Sequence, residues 1–431
     1  MTEKKLKVHE NGRCLVWQNG EPFFYLGDTA WELFHRLNLE ETDLYLQTRA
    51  EQGFNVIQAV ALAEYGGLDT ANYNGRRPLL QTNGQWDPTR PDIGGPDSYW
   101  DHVDTVIRKA AGLGLMIGLL PTWGDKYNQK WGQGPEIFTA GNAAVYAGWL
   151  AKRYADCWNI IWILGGDRPL ESEQHHAIID AMGQAIRREA PDHLITFHPS
   201  GASSSADHVL DRDYIDFHMI QSGHALEGFS SYAMLQATAA AEAKPFMDGE
   251  PRYEGHPSCF KAGYQVLWSA PDVRQNAWWN LMEGVCGHTY GHHAIWYFNR
   301  EKEAYRPHDW QSALRHPGAG QMRHLITLRE SRPFAEFHPA PDLVADDPAA
   351  GAHLAAGRGD AYAFIYSPLG QPIRARLDQL GDRPVRAAWF NPRDGRMDRP
   401  FTVVPPREAL FVPPTQGWGE DWVLVLDRMD D

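Results

Sequence analysis

Two acidic motifs carry the residue types that a bond-cleaving site needs. One is Gly165-Gly166-Asp167-Arg168, directly after the apolar run 159–164. The other is Asp248-Gly249-Glu250, after the run 245–247. Two carboxylates facing each other across a pocket can cleave a glycosidic bond. One protonates the leaving oxygen, and the other attacks the anomeric carbon or activates water. The acid must keep its proton, which desolvation by an apolar wall such as Trp162 or Trp296 would favour. Its partner must stay ionised, and Arg252 or a Tyr hydroxyl could hold it so. Taken singly, either carboxylate reads equally as a solvated loop residue or a helix cap.

Further candidates follow other apolar runs. Asp28 and Trp31 follow 23–27, Glu64-Tyr65 follows 55–60, and Trp123 and Asp125 follow 115–120. His198 follows 194–197, Gln221 and His224 follow 214–220, Arg252 and Tyr253 follow 245–247, and Trp296 lies within 294–298. Asp28, Glu64, Tyr65, His198, Gln221, His224 and Arg252 could bind sugar hydroxyls. Trp31, Trp123 and Trp296 could stack on the C–H face of a sugar ring. The plainer alternatives are an N-cap for Asp28, open surface for Glu64 and Tyr65, and core packing for the Trp and His residues. Glu254 is a second acidic residue in the Glu250 loop and reads as a support or surface position.

Histidines offer a rival chemistry. The segment Gly287-His288-Thr289-Tyr290-Gly291-His292-His293 places His288 and His292 on one face if it is extended. His175-His176 lies on a helix. No HExxH pair and no third ligand at close spacing accompanies them. The expectation is therefore no metal and no cofactor. A metal-dependent hydrolase on the His-rich rim is the alternative enzyme, and a non-catalytic carbohydrate-binding protein is the alternative outside catalysis.

The elements that must position these residues recur as short apolar runs alternating with amphipathic helices. Strands are expected at 23–27, 55–60, 115–120, 159–164, 194–197, 214–220, 245–247 and 294–298. Helices are expected at 38–53, from 99, around 145–155, around 178–186, at 232–243, 272–286 and 321–329. Asn38 and Glu41 have capping-box spacing. Short strands buried on both faces and alternating with helices predict a parallel sheet. Eight such units predict an α/β fold of the closed (β/α)8 TIM-barrel type, whose catalytic groups stand at the C-terminal strand ends. No GxGxxG supports a dinucleotide site, no strand-end Lys suggests a Schiff base, and no Gly-rich phosphate loop follows the last two strands. The long excursion 64–96 is expected to close part of the pocket. Beyond Arg332-Pro333 the pattern becomes alternating and turn-rich, which predicts a C-terminal antiparallel β-sandwich. The division is an N-terminal β-hairpin extension over 1–22, a barrel over 23–335 and a sandwich over 340–431.

Composition narrows the partners. Lys and Arg number 40 against 55 Asp and Glu, a formal charge of −15 over 431 residues, which disfavours nucleic acid and anionic membranes. No run approaches the length of a membrane span. The charged start lacks an apolar signal core, so the chain as given is expected to be cytoplasmic, or periplasmic or secreted if a leader was removed. Cys14, Cys157, Cys259 and Cys286 are scattered and read as free thiols. Oligomeric state is not legible.

The signature Asn19-Gly20-Glu21-Pro22-Phe23-Phe24-Tyr25-Leu26-Gly27-Asp28-Thr29-Ala30-Trp31-Glu32-Leu33-Phe34 resembles the opening of the apiosidase-like glycoside hydrolases. Gly53-Phe54-Asn55-Val56-Ile57-Gln58, Trp162-Ile163-Leu164-Gly165-Gly166-Asp167 and Asp248-Gly249-Glu250-Pro251-Arg252-Tyr253-Glu254 extend the resemblance over the chain. It implies a clan-A barrel with Asp167 as acid/base and Glu250 as nucleophile. It also implies a carbohydrate substrate of the plant pectic type, and a β-rich tail that carries a collagen-binding label in that family. Nothing in the tail itself reads as a collagen groove. Most clan-A enzymes have Asn-Glu where this chain has Gly166-Asp167. Asp is one methylene shorter, which leaves retention and inversion both open.

Overall fold

The structure, a computed structural model of the chain, describes residues 5–225, 230–258, 266–303, 305–348, 350–404 and 407–429. Cys259 lies outside them. Eight parallel strands build a (β/α)8 barrel: β1 (Tyr25–Thr29), β2 (Val56–Val60), β3 (Met116–Leu120), β4 (Ile160–Gly165), β5 (Ile195–His198), β6 (His218–Gln221), β7 (Phe246–Asp248) and β8 (Gly287–His292). The ladder runs β5-β4-β3-β2-β1-β8-β7-β6.

The ring closes between β5 and β6 without a ladder. The Asp216 N–H donates to the Ile195 carbonyl at 2.9 Å, and the Asp216 carboxylate accepts the Ile195 N–H at 2.7 Å. The Thr196 hydroxyl donates to the Phe217 carbonyl at 2.7 Å. A carboxylate thus replaces the missing strand pairing. The expected strand over 214–220 shrinks to four residues because Asp216 and its neighbours are used in this seam.

Alternation along each strand sorts the core. On β4, Ile161 and Ile163 point into the barrel with Val56, Met116, Met219 and Met247, while Ile160, Trp162 and Leu164 face the helical shell. The N-terminal strands Leu6–Val8, Leu15–Trp17 and Pro22–Phe23 form a small antiparallel sheet. Its Leu6, Leu15 and Phe23 join the barrel-interior cluster, so this sheet plugs the end opposite the catalytic face. The helix Leu39–Glu51 begins with the Asn38/Glu41 capping box that the spacing predicts.

The eighth strand differs from expectation. The His-rich segment 287–293 supplies β8, and 294–298 is a turn that ends it. Gly287 permits this, since a Cβ there would sit 2.4 Å from the Tyr25 Cβ across the β1–β8 pair. A run with two glycines and three histidines lacks the β-branched signal that marks strands. The excursion 64–96 also departs from expectation. Its hairpin, Leu79–Thr82 with Gln85–Pro91, packs beside the helix Ala140–Tyr154, and only Glu64 and Tyr65 of the excursion reach the pocket.

The C-terminal region is a six-stranded antiparallel sheet with a separate two-stranded sheet, Ile373–Arg376 and Glu408–Phe411. Strand period 2 again decides the packing. Phe364, Tyr366, Val423 and Val425 face the barrel helix Ala270–Met282, and Ala363, Ile365, Leu424 and Leu426 face the small sheet. Arg274 of that helix crosses the junction, with Nη2 2.5 Å from Asp421 Oδ1 and Nε 3.1 Å from Oδ2, both side chains buried. Asp421→Ala would leave Arg274 buried and uncompensated. It is expected to cost about 3–5 kcal/mol, read as a lowered urea midpoint.

Candidate active site

A cavity of about 510 Å³ opens at the C-terminal ends of the strands. Asp167 and Glu250 both line it. So do Trp31, Glu64, Tyr65, Trp123, Gln221, His224 and Trp296 of the sequence candidates.

The turn after β4 aims Asp167. Gly165, Gly166 and Asp167 all have positive φ, at +89°, +109° and +55°. A Cβ at Gly165 would sit 2.3 Å from the His198 carbonyl, so only glycine fits there. Asp is one of the few other residues that adopts this conformation. The result swings the carboxyl into the mouth of the barrel. Arg168 Nη1 donates to Asp167 Oδ2 at 2.9 Å, and Trp131 Nε1 donates to the same oxygen at 3.1 Å. Oδ1 receives no hydrogen bond from the described residues, which leaves it to carry a proton. Burial raises the Asp167 pKa and the charge of Glu250 raises it further, against the pull of Arg168.

Glu250 is held in the opposite sense. His224 Nε2 bonds Oε1 at 3.2 Å, and His198 Nε2 lies 3.0 Å from Oε2. His198 Nδ1 accepts the Asp167 backbone N–H at 3.3 Å. An imidazole that accepts at Nδ1 carries its hydrogen on Nε2, the nitrogen that lies beside Glu250. Burial alone would raise the Glu250 pKa, but the histidine contacts reverse this and hold it well below the usual carboxylate range. Two carboxyls pushed in opposite directions are the electrostatic pattern of an acid paired with an ionised partner.

Asp248 braces the β6 and β7 loops. Its carboxylate accepts the Ser222 hydroxyl at 2.6 Å, Asn280 Nδ2 at 3.1 Å and the Glu250 N–H at 3.3 Å. Burial pushes its pKa up to about 6. On the Asp167 side, Arg168 Nη2 reaches Glu64 Oε1 at 2.7 Å. Burial pushes Glu64 up to about 7, despite the pull of Arg168.

Several expected residues serve elsewhere. Asp28 points outward from β1 and accepts Tyr45 Oη at 2.5 Å and Arg49 Nε at 2.6 Å, all three buried. It lies outside the pocket because Tyr25 sets the inward parity of the strand. Arg252 turns to Gln275 Oε1 at 3.0 Å and stacks 4.8 Å from the Trp268 ring, so it does not hold Glu250. Trp162 faces the shell and donates to His193 Nδ1 at 3.1 Å, so it forms no wall for the acid. His198 reaches Glu250 rather than the cavity wall. Trp296 does line the cavity, from the turn after β8 and beside Tyr65. Glu254 is buried, accepting Tyr290 Oη at 2.6 Å.

His288 and His292 turn to different partners. His288 Nδ1 lies 3.1 Å from Asn280 Nδ2, and His292 Nε2 lies 2.9 Å from His316 Nδ1. His175 accepts the Glu171 N–H at 3.2 Å. Among the described residues no group of three or more His, Cys, Asp or Glu is arranged to hold a metal ion, and no helix is long and apolar enough to cross a membrane. Lining residues that strand-end reasoning did not single out are Trp131, His256, His293, Tyr305 and Arg306. Trp131, His256, Tyr305 and Arg306 arrive on long connections, where no strand end marks them, and His293 directly follows β8, whose end the apolar pattern misplaced.

Comparison with known proteins places the chain among the glycoside hydrolases. Residues 9–336 match the apiosidase-like catalytic domain, and 339–427 match a module described as "Putative collagen-binding domain of a collagenase". The chain belongs to the apiosidase-like family. It is similar to a family 5 glycoside hydrolase structure from Bacteroides vulgatus, with 31% identity, a TM-score of 0.90 and coverage of 98% of this chain and 94% of that one. A second structure, described as a glycoside hydrolase, has 30% identity and a TM-score of 0.89, covering 100% and 98%. No curated protein matched.

Asp28→Asn tests the outward placement. It would leave the Arg49 charge buried and is expected to cost about 3–5 kcal/mol of stability in urea unfolding. A sugar-binding Asp28 would instead raise KM in a protein of normal stability.

Proposed function

We propose that the enzyme cleaves a glycosidic bond with Asp167 as general acid/base and Glu250 as nucleophile, on short plant-type oligosaccharides of the pectic class. The observation that carries this is the opposed electrostatics of the two carboxyls within one pocket. Family membership supports the sugar class. A cavity of about 510 Å³ suits a chain end or a short oligosaccharide more than a long open strand.

In the first step Glu250 attacks the anomeric carbon while Asp167 passes its proton to the leaving oxygen. Water then enters, Asp167 takes a proton from it, and the glycosyl ester on Glu250 breaks. The separation of the two carboxyl groups decides between this retaining course and inversion. Proton NMR of the first-formed product is expected to show the anomeric configuration of the substrate. Inversion would make Glu250 a base for water instead.

Asp167→Asn is expected to lower kcat/KM, which reports the first step alone, by about 10²–10⁴ on alkyl glycosides, whose leaving oxygen needs a proton. The loss should be much smaller on 4-nitrophenyl glycosides, which leave as stable anions. Glu250→Gln should abolish turnover of both. Activity requires Glu250 ionised and Asp167 protonated. A lowered Glu250 therefore extends the acidic limb downward, and a raised Asp167 carries the alkaline limb above the usual carboxylate range. Equal losses on both substrates in Asp167→Asn would remove it from the acid role.

A further inference from the structure

Trp131 is 55% exposed, while the other Trp residues of the cavity are mostly covered: Trp31 at 4% and Trp123 at 5%. It lines the mouth on the Asp167 side. Its indole edge is fixed by the hydrogen bond from Nε1 to Asp167 Oδ2 at 3.1 Å. The Arg168 guanidinium lies 4.7 Å from its ring centroid, and Arg168 is itself fully buried and tied to Asp167 and Glu64. The ring is therefore oriented before any ligand arrives.

The loop that carries it is built, not merely long. Gly132 follows Trp131, and a Cβ there would sit 2.4 Å from Arg168 Nη2 and 2.4 Å from Asp125 Cβ. Asp125 and Lys126 form a fully buried pair at 2.8 Å beneath the loop. Asp125 also accepts the Gly134 N–H at 2.8 Å. Asn128 Nδ2 donates to the Pro169 carbonyl at 2.9 Å and ties the loop to the segment after Asp167. Burying two charges to anchor an exposed tryptophan has no packing purpose, since the ring covers little apolar core.

The general acid faces the leaving oxygen, so a ring beside the acid lies beside the leaving group. A pre-oriented, exposed indole is a platform for the C–H face of a sugar. We infer that Trp131 forms a leaving-group subsite that stacks the sugar residue released from the cleaved bond. This deepens the proposed function and rests on its assignment of Asp167 as the acid. It makes the enzyme selective for a sugar leaving group over a small alkyl one.

The test compares Trp131→Phe and Trp131→Ala. Both lose the N–H bond to Asp167, and only the second loses the ring. Hydrolysis is followed on a disaccharide and on the methyl glycoside of the same non-reducing sugar, chosen by activity of the wild-type full chain. The ratio of kcat/KM, disaccharide over methyl glycoside, is expected to fall about tenfold in Trp131→Ala, the size of one lost aromatic anchor. It should stay within about twofold of wild type in Trp131→Phe. An unchanged ratio in Trp131→Ala would overturn the subsite. An equal fall in both variants would also overturn it, because the effect would then belong to the bond with Asp167. Wild-type rates in Glu250→Gln would instead overturn the carboxylate reading beneath it, whatever Trp131 does.

Discussion

His198 sits between the Asp167 backbone and the Glu250 carboxylate, and much of the site depends on that position. Its Nδ1 receives the Asp167 N–H and its Nε2 lies against Glu250. A backbone hydrogen bond to one catalytic candidate thereby selects the tautomer presented to the other. The contact holds Glu250 ionised despite burial. It also keeps a negative charge near Asp167, and that charge helps Asp167 retain its proton. His198, together with His224, thus draws Glu250 down while burial raises Asp167.

The surrounding fold keeps that ring in place. His198 ends β5, next to the seam where Asp216 replaces a ladder, and its carbonyl receives the Gly166 N–H at 3.1 Å. Gly165 lets the chain turn over His198 without a Cβ striking its carbonyl, and Gly166 does the same against the Gly124 backbone. Trp31 packs edge-on to the imidazole at 5.2 Å, and Trp123 lies 6.0 Å away. These rings exclude water from the contact and sharpen its electrostatics. Asp248 then links the β7 strand, the Glu250 N–H and the β6 loop into one hydrogen-bonded unit.

Much of this was legible in the sequence. Seven of the eight barrel strands coincide with apolar runs, because a strand buried on both faces must be apolar. β8 escaped because Gly287 and Gly291 serve close approach to neighbouring side chains, and glycine weakens a strand signal. Asp167 and Glu250 were legible as carboxylates after barrel strands. Asp28 followed the same logic but reads differently in three dimensions, since its place on β1 turns it toward Arg49 on the outer helix. Arg252 is displaced for a similar reason: the residue two beyond Glu250 turns toward the helix Ala270–Met282. Trp131 gave no signal because a loop of ordinary composition carries it, and its partners Arg168 and Asp125 meet only on folding.

The most direct test of the account is the pH–rate profile of His198→Phe, which keeps a ring of similar shape and removes both nitrogens. The account predicts that the acidic limb moves up toward the ordinary carboxylate range, because Glu250 loses a partner that favours its charge. Circular dichroism matching the wild type would show that the fold survives. An acidic limb left where the wild-type enzyme has it, in a folded variant, would contradict the claim that His198 sets the charge of Glu250.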